Sequence, residues 1–335
     1  MKQVAVLGAG AWGTALAVHL GRLGKQVSLW ARRTDLVDQL RRQRMNALYL
    51  PGVQLPERVD PTTSLATAVG ESEAVVLAVP SHGTRELATC LAPRLSPGVP
   101  LVSGTKGFEV GTLSRMSEVI AQEVGGANPV VVLSGPSFAA ELARAAPTAV
   151  LVASRDPLAA FLIQREFRAP PSLRLYASDD VTGVEVGGAM KNVIAIAAGV
   201  VDGLGLGPNA LAALITRGLA EISRLACAMG GRRETLAGLS GLGDLILTCT
   251  GGQSRNWHVG RGLGRGQTLD QILGGMQSVA EGVRTTEAAL ELGARYHVDL
   301  PIATLMAAVL AGRTAARAAV EELMLRKQRP EADDV

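Results

Sequence analysis

The sequence predicts an α/β chain in which a doubly wound sheet domain is followed by a mostly α-helical domain. Short apolar runs suited to buried strands alternate with helix-compatible stretches through the first half of the chain. After about residue 179 the pattern changes to long alanine- and leucine-rich stretches with helical periodicity. We therefore expect a sheet domain at residues 1–179, a helical domain at 180–327 and a polar tail at 328–335.

The first strand–helix–strand unit can be assigned directly from the residues. Val4 to Leu7 form an apolar run typical of a parallel strand that is buried on both faces, and Val27 to Trp30 make the next strand. Between them a helical pattern runs from Thr14 to about Leu23 and stops at Gly24. Further strands are predicted at 74–80, 100–106, 129–136 and 148–154, and helices at 181–201, 208–229, 284–297 and 301–327.

The composition excludes several classes of protein. With 335 residues, 47% hydrophobic and 19% charged, the chain is long and apolar enough for about two folded domains. A net charge of +3 argues against a dedicated nucleic-acid binder, and the three cysteines and four histidines lack metal-ligand or disulfide spacing. We expect no membrane span and no signal peptide, and therefore a cytoplasmic protein. The oligomeric state is left open, with a homodimer as one arrangement.

A glycine motif follows the first predicted strand. Gly8, Gly10 and Gly13 form GxGxxG, in which the first glycine permits a tight turn and the second lets the backbone approach a pyrophosphate. The third allows close packing of helix on strand, and the helix N-terminus adds N–H groups and a partial positive charge. Inside a βαβ unit, this motif predicts a Rossmann-like dinucleotide-binding domain.

The end of the second strand selects between the two nicotinamide cofactors. An acidic residue there accepts bonds from the ribose 2′-hydroxyl of NAD, whereas an arginine suits the 2′-phosphate of NADP. This chain has Arg32 and Arg33 there, which favours NADP(H), with NAD(H) as the alternative. Asp35 would instead favour NAD(H), but a carboxylate in the first turn of a helix can also serve to cap that helix. A solvated loop is the other interpretation of the two arginines.

Lys191 stands alone in an apolar helical pattern. It is the only charged residue between Gly187 and Val201. A buried ammonium needs a partner, unless its stem covers apolar surface while its head reaches water. Reduction of a carbonyl by a nicotinamide needs a proton for the oxygen, and desolvation can lower the pKa of a lysine towards working pH. Because a cofactor domain precedes it, we interpret Lys191 as the proton donor and acceptor.

Several blocks of the chain match one known family in order. They are "GAGAWGTALA" (8–17), "GTKGFE" (104–109), "LSGPSFAAE" (133–141), "GAMKNVIAIAAGVVDGLGLGPN" (188–209), "GLSGLGDLILTCTGGQSRN" (238–256) and "AEGVRT" (280–285). In these blocks the sequence closely resembles bacterial-type NAD(P)-dependent glycerol-3-phosphate dehydrogenase. The resemblance implies reduction of dihydroxyacetone phosphate to sn-glycerol 3-phosphate, the backbone for phospholipid synthesis.

The resemblance also implies roles for individual positions. Lys191 matches the catalytic lysine of the family. The positions implied to bind substrate are Lys106, Gly135, Ser137, Lys191, Asp244, Ser254, Arg255 and Asn256. Besides the three glycines and two arginines above, the positions implied to bind the cofactor are Ala11, Trp12, Lys106, Ala139, Arg255, Val279 and Glu281.

Taken singly, many of these residues have structural interpretations. Asp244 can cap a helix, Glu281 can be a solvated acid, and Trp12 can belong to a core. Lys106 can be a surface lysine, and Gly135 can belong to an ordinary loop that leads into a helix. The glycine- and arginine-rich segment 251–267 has a superficial likeness to RNA-binding sequences, but the low net charge and 3% aromatic content favour a catalytic loop.

Two rival functions stay open on the sequence. One is another reductase of similar architecture, acting on a 3-hydroxy acid or a ketopantoate-like substrate. Such a carboxylate substrate would have no need of the cluster Ser254, Arg255 and Asn256, whose hydroxyl, guanidinium and amide suit a phosphate. The other is a dinucleotide-binding sensor without turnover, in which Lys191 and Asp244 would be dispensable.

Overall fold

The chain forms two compact units. The computed structural model describes residues 1–276, 280–328 and 330–331. The first unit comprises Met1–Lys106 and Met116–Val181, and the second comprises Gly107–Arg115 and Thr182–Val335. The polar tail predicted at 328–335 lies mostly outside the described residues.

The first unit is built on one sheet. Its strands are β1 Gln3–Leu7, β2 Gln26–Trp30, β3 Val59–Thr62, β4 Ala74–Leu77, β5 Leu101–Ser103, β6 Val130–Ser134, β7 Thr148–Ala153 and β8 Leu173–Ser178. Among the described residues, eight strands pair in the order β3-β2-β1-β4-β5-β6-β7-β8. All neighbours are parallel except β6 and β7, which are antiparallel. The predicted doubly wound sheet is therefore confirmed, and its strand order reverses between β1 and β4.

The two strands absent from the sequence prediction, β3 and β8, are the edges of the sheet. β3 contains Pro61, which lacks a backbone N–H and is tolerated in a strand that has only one neighbour. In β8, buried and exposed residues alternate over its first four positions, so the strand has no continuous apolar run. An edge strand has one solvated face and escapes a search for runs that are buried on both faces.

Helices cover both faces of the sheet. In the first unit they are α1 Ala11–Arg22, α2 Thr34–Gln43, α3 Leu65–Val69, α4 Thr84–Leu91, α5 Met116–Val124, α6 Ala139–Ala143 and α7 Pro157–Phe167. Along β1 the side chains alternate between two apolar clusters: Val4 and Val6 join one, and Ala5 and Leu7 join the other. Both faces of the central strands are therefore buried, which explains the uninterrupted apolar run.

The second unit is helical. Its helices are α8 Val181–Gly203, α9 Gly207–Ala228, α10 Arg233–Leu236, α11 Asp244–Thr250, α12 Arg255–Gly264, α13 Leu269–Gly274, α14 Glu281–Tyr296, α15 Pro301–Leu310 and α16 Ala316–Leu325. The sequence predicted one helix over 301–327, but the chain breaks between α15 and α16. Gly312 adopts a φ of 67° there, a left-handed conformation that ends a helix.

The segment Gly107–Arg115 leaves the sheet and packs with the helical unit. Phe108 and Leu113 join the core cluster that surrounds α8, and the Arg115 Nη1 donates a hydrogen bond of 2.6 Å to the Glu185 Oε2. Both members of this ion pair are at least nine-tenths buried. The packing of this segment with the helical unit was not predicted from the sequence, because the segment has neither strand nor helix periodicity.

Helix α8 is the centre of the second core. Among the described residues it is the one helix that is long and apolar enough to span a membrane by length and composition. All of the most apolar 18-residue window is buried inside the fold, the environment of a core helix that packs on every side.

A buried carboxylate joins two helices of the second unit. Glu221 on α9 is 1% exposed and accepts hydrogen bonds from the backbone N–H groups of Ile302 and Ala303 at the start of α15. Burial raises the pKa of the Glu221 carboxyl from 4.5 to about 7, although these two bonds act in the opposite direction. Folding therefore favours the protonated carboxyl.

This raised pKa predicts a pH-dependent stability. Because the folded chain binds the Glu221 proton more tightly than the unfolded chain, its contribution to stability is full below about pH 4.5 and is lost as the pH rises towards 7. We expect Glu221→Gln to flatten the fall in unfolding free energy between pH 5 and pH 7, as measured by urea denaturation. The exposed Glu287 provides the control, and an equal flattening by Glu287→Gln would contradict the assignment.

Candidate active site

The glycine motif lies at the carboxyl end of β1, where the strand order reverses. Gly8 has a φ of 117° and its N–H donates to the Trp30 carbonyl of β2 at 2.9 Å. A Cβ on Gly8 would lie 2.5 Å from the Ala78 carbonyl oxygen, and one on Gly13 would overlap the Gly8 carbonyl. A Cβ on Gly10, in contrast, would meet no atom within 4 Å. The loop thus offers a pyrophosphate open space in front of Gly10, and the residues present fit a dinucleotide.

Helix α1 begins directly after this loop. Ala11 is its first residue, its N-cap Gly10 has no side chain, and the first turn carries no acidic residue. The helix N-terminus is therefore suited to an anion through its N–H groups and dipole. The sequence predicted a later start at Thr14. Trp12, in the first turn of α1, lies against Gly104 in the loop after β5, where a Cβ would be 2.8 Å from the indole Nε1.

The two arginines predicted to select the cofactor follow β2 and are exposed. The Arg33 guanidinium donates two hydrogen bonds to the Asp35 carboxylate. One runs from Nε to Oδ1 at 3.1 Å, and the one from Nη2 to Oδ2 is shorter. Asp35 holds the pKa of the Arg33 guanidinium above its ordinary value, and Arg33 lowers the pKa of the Asp35 carboxyl. Asp35 lies in the first turn of α2, the position expected from the sequence.

Four other predicted residues of the first unit lie near the carboxyl ends of β5 and β6. The Lys106 Nζ is 3.4 Å from the Gly135 carbonyl oxygen, and the Ser137 hydroxyl donates to the same oxygen at 2.9 Å. Ala139 begins α6 two residues later. Gly135 has a φ of 132°, a conformation that a side chain disfavours. The structure thus brings Lys106, Gly135 and Ser137 into one cluster.

Lys191 lies in the middle of α8 and is 6% exposed. Its Nζ donates to the Asp244 Oδ1 in a short ion pair and to the Thr248 Oγ1 at 2.7 Å. The snorkelling alternative is therefore wrong, because the head of the side chain meets two buried oxygens rather than water. The Asp244 carboxylate stabilises the ammonium, which is the form that can donate a proton.

The local fold at residues 239–250 aligns both partners of Lys191. A π-helical turn, Leu239–Gly243, leads into α11, whose first residue is Asp244. Thr248 is one turn later and donates its hydroxyl proton to the Asp244 carbonyl at 2.6 Å, which leaves its oxygen directed to accept from Lys191. Thr248 was missed in the sequence, although its spacing of four residues from Asp244 puts both on one helix face.

Cys249 also lies beside this group, but it is unsuited to chemistry. It is fully buried, and burial raises the pKa of its thiol to about 12, with Lys191 acting to lower it and Asp244 to raise it. The thiol therefore stays protonated, and only a thiolate is an effective nucleophile.

The predicted phosphate cluster lies at the N-terminus of α12. The Ser254 hydroxyl caps this helix by accepting from the Trp257 N–H at 3.2 Å, and Arg255 is exposed. The Asn256 Oδ1 accepts from the Gly282 N–H at 2.9 Å, at the start of α14. Ser254 and Asn256 thus have structural partners, and Arg255 presents its guanidinium to solvent. The helix N-terminus itself suits an anion.

Close packing of two glycine-containing helices holds α12 against α8. A Cβ on Gly260 would overlap the Ile196 carbonyl oxygen, and one on Gly199 would overlap the Trp257 carbonyl oxygen. A Cβ on Gly264 would lie 2.7 Å from the Val200 carbonyl oxygen. The missing side chains let the two backbones touch, which positions the N-terminus of α12 relative to the helix that carries Lys191.

The last two residues predicted to contact the cofactor are Glu281 and Val279. Glu281 is the first residue of α14, directly before the glycine that bonds to Asn256, and its charge suits a helix N-terminus. Val279 lies outside the described residues.

Comparison with known proteins identifies the family of this chain. Family models described as the N-terminus and C-terminus of NAD-dependent glycerol-3-phosphate dehydrogenase match residues 3–160 and 180–321. The chain is 50% identical to glycerol-3-phosphate dehydrogenase [NAD(P)+] of Geobacter sulfurreducens, over 98% of this chain and 99% of that protein. It is 47% identical to the enzyme of that name from Geobacillus kaustophilus, over 100% and 98%.

A solved structure supports the same assignment. The crystal structure of glycerol-3-phosphate dehydrogenase from Coxiella burnetii superposes with a TM-score of 0.93 at 38% identity, covering 97% of this chain and 99% of that one. The sequence relatives and the fold agree over nearly the whole chain. The chain therefore belongs to the NAD-dependent glycerol-3-phosphate dehydrogenase family.

Proposed function

We propose that this chain catalyses the reversible, NAD(P)H-dependent reduction of dihydroxyacetone phosphate to sn-glycerol 3-phosphate in the cytoplasm, supplying the backbone of glycerophospholipids. The observation that carries the proposal is the buried Lys191 ammonium, held by Asp244 and Thr248 in a member of this dehydrogenase family. In a sensor without turnover, Lys191 and Asp244 would be dispensable for function.

Lys191 performs the proton transfer in this proposal. Bound NAD(P)H would supply the hydride that the carbonyl carbon of the substrate requires. As negative charge develops on the carbonyl oxygen, the Lys191 ammonium donates a proton to it and becomes a neutral amine. In the reverse direction the neutral amine removes the hydroxyl proton. Asp244 and Thr248 hold the amine nitrogen in one place through both directions.

The experiment that tests the proposal is a steady-state assay of NADPH oxidation with dihydroxyacetone phosphate, with ketopantoate as the control substrate. We expect turnover with the phosphate ester and none with ketopantoate. Turnover with ketopantoate alone would favour the rival reductase, and saturable NADPH binding without turnover on either ketone would favour the sensor.

Arg255 is proposed to bind the phosphate of the substrate. Its exposed guanidinium stands at a helix N-terminus, and a guanidinium binds phosphate in a two-pronged manner. We expect Arg255→Ala to lower kcat/KM for dihydroxyacetone phosphate by roughly 10- to 100-fold, the value of one or two charge-assisted hydrogen bonds. The rate with unphosphorylated dihydroxyacetone should fall less, because that ketone lacks the phosphate and can lose only the contact that Arg255 is expected to make with the cofactor. Equal losses with both ketones would remove Arg255 from the phosphate site.

Arg32 and Arg33 are proposed to favour NADP(H) by binding its 2′-phosphate. Both are exposed at the carboxyl end of β2, the position that contacts the adenosine ribose in dinucleotide-binding folds. We expect the double variant Arg32→Ala and Arg33→Ala to lower kcat/KM for NADPH at least tenfold while NADH changes little. An unchanged ratio of the two activities would show that neither arginine selects the cofactor.

A further inference from the structure

A buried asparagine lies directly behind the glycine loop. Asn46 follows α2 and is fully buried, and its Nδ2 donates to the Ala9 carbonyl at 2.9 Å and to the Thr14 Oγ1 at 2.8 Å. Its Oδ1 accepts from the Tyr49 N–H at 3.1 Å. One side chain therefore joins the loop, the first turn of α1 and the chain after α2.

An amide is the side chain that this position requires. The site supplies two acceptors and one donor, so it needs two N–H bonds and one oxygen on the same short group. An ionised aspartate has no N–H, and a serine hydroxyl has one proton for two acceptors. Both the asparagine and Thr14 are fully buried, so water has no access to replace the bonds.

The bond to Ala9 controls the direction of the next amide. In a planar trans peptide the C=O and the N–H point in opposite directions. The Ala9 carbonyl points towards Asn46, so the Gly10 N–H of the same peptide points away from it. No other residue that the structure describes covers the Cβ side of Gly10, since a Cβ there would meet no atom within 4 Å.

We propose that Asn46 is a positioning residue for the cofactor: by holding the Ala9 carbonyl and Thr14, it turns the Gly10 N–H towards the pyrophosphate. This inference rests on the proposed function, because it takes the bound ligand to be NAD(P)H. The pyrophosphate is common to both nicotinamide cofactors, so Asn46 contributes equally to NADPH and NADH. Arg32 and Arg33 differ in this respect, since the contact proposed for them is with the 2′-phosphate, which NADPH alone carries.

The test compares two buried asparagines of the same unit. Asn128 is also buried and donates to the Ser96 and Val99 carbonyls at 2.8 and 2.9 Å, but it precedes β6 and lies at the amino ends of the strands. Dissociation constants for NADPH and NADH are measured by nicotinamide fluorescence on the full chain, together with Tm and kcat at saturating cofactor. Asn46→Asp, which keeps the shape and the bond from Tyr49 but lacks both N–H donors, accompanies Asn46→Ala.

We expect both Asn46 variants to raise the two dissociation constants by the same factor, roughly tenfold, with the NADPH to NADH ratio and kcat preserved. Asn128→Ala should lower Tm by about as much as the Asn46 variants do, and it should leave both dissociation constants unchanged. If every Asn46 variant that folds binds both cofactors as tightly as the unaltered chain, Asn46 is structural only and the inference is wrong. Absence of saturable binding by the unaltered chain would instead overturn the proposed function, and this inference with it.

Discussion

Lys191→Ala is expected to lower kcat for ketone reduction by about 10²- to 10⁴-fold, the usual contribution of a positioned acid or base. The reason is that the alkoxide formed by hydride transfer would lose its proton donor. Cofactor binding should persist, because Lys191 is not among the residues predicted to contact the cofactor. Stopped-flow measurement of NADPH oxidation under single-turnover conditions would separate the chemical step from binding.

This variant leaves the Asp244 carboxylate buried without its cation, which can destabilise the fold by about 3–5 kcal/mol. A second variant, Lys191→Ala with Asp244→Asn, removes that unpaired charge. Lys25 provides a matched control, because it is another buried lysine whose Nζ meets a carboxylate, Glu166, at 2.8 Å. Loss of stability with full kcat is expected for Lys25→Ala. Unimpaired kcat in a folded Lys191 variant would contradict the proton-transfer role.

Gly260→Ala is expected to destabilise the protein by about 3 kcal/mol, because the added Cβ would overlap the Ile196 carbonyl of α8. The neighbour is backbone in a helix that is buried on every side, so it has no room to relax. A folded variant should also lose activity, since α12 carries Arg255 and would be displaced from α8. Thermal unfolding monitored by circular dichroism measures the first effect, and the reductase assay measures the second.

Gly274 provides the control for this substitution. It ends α13, is exposed, and a Cβ there would meet no atom within 4 Å. Gly274→Ala should change stability by no more than about 1 kcal/mol. If Gly260→Ala and Gly274→Ala unfold at the same temperature as the unaltered chain, α8 and α12 do not touch as closely as described here.

Most of the sheet could be predicted because its central strands are buried on both faces. β1 and β4 to β6 show this burial as apolar runs in the sequence, whereas β2 and β7 also carry half-buried residues. The edge strands β3 and β8 lack such runs, and the break between α15 and α16 depends on the left-handed conformation of Gly312. The pairing of edge strands and the backbone conformation of single residues arise from tertiary contacts. The spacing of apolar residues along the sequence does not reveal such contacts.

The residues of the candidate site also fall into two groups, those that the sequence indicated and those that only the structure shows. Lys191 stood out because a cation in an apolar helix demands an explanation, and the matching blocks indicated Asp244 beside it. Thr248 and Asn46 did not stand out, because a threonine in a helix and an asparagine in a loop are ordinary residues by composition. Their importance comes from partners 57 and 37 positions away in the chain. Such distant contacts become visible only in three dimensions.

The central claim is that hydride from the nicotinamide reaches the carbonyl carbon of dihydroxyacetone phosphate. The most direct measurement is to incubate the unaltered protein with that ketone and NADPH deuterated at the transferring C4 position, and to analyse the product by NMR. We predict sn-glycerol 3-phosphate with deuterium on C2. Absence of deuterated glycerol 3-phosphate, with the labelled cofactor bound and unchanged, would contradict the account.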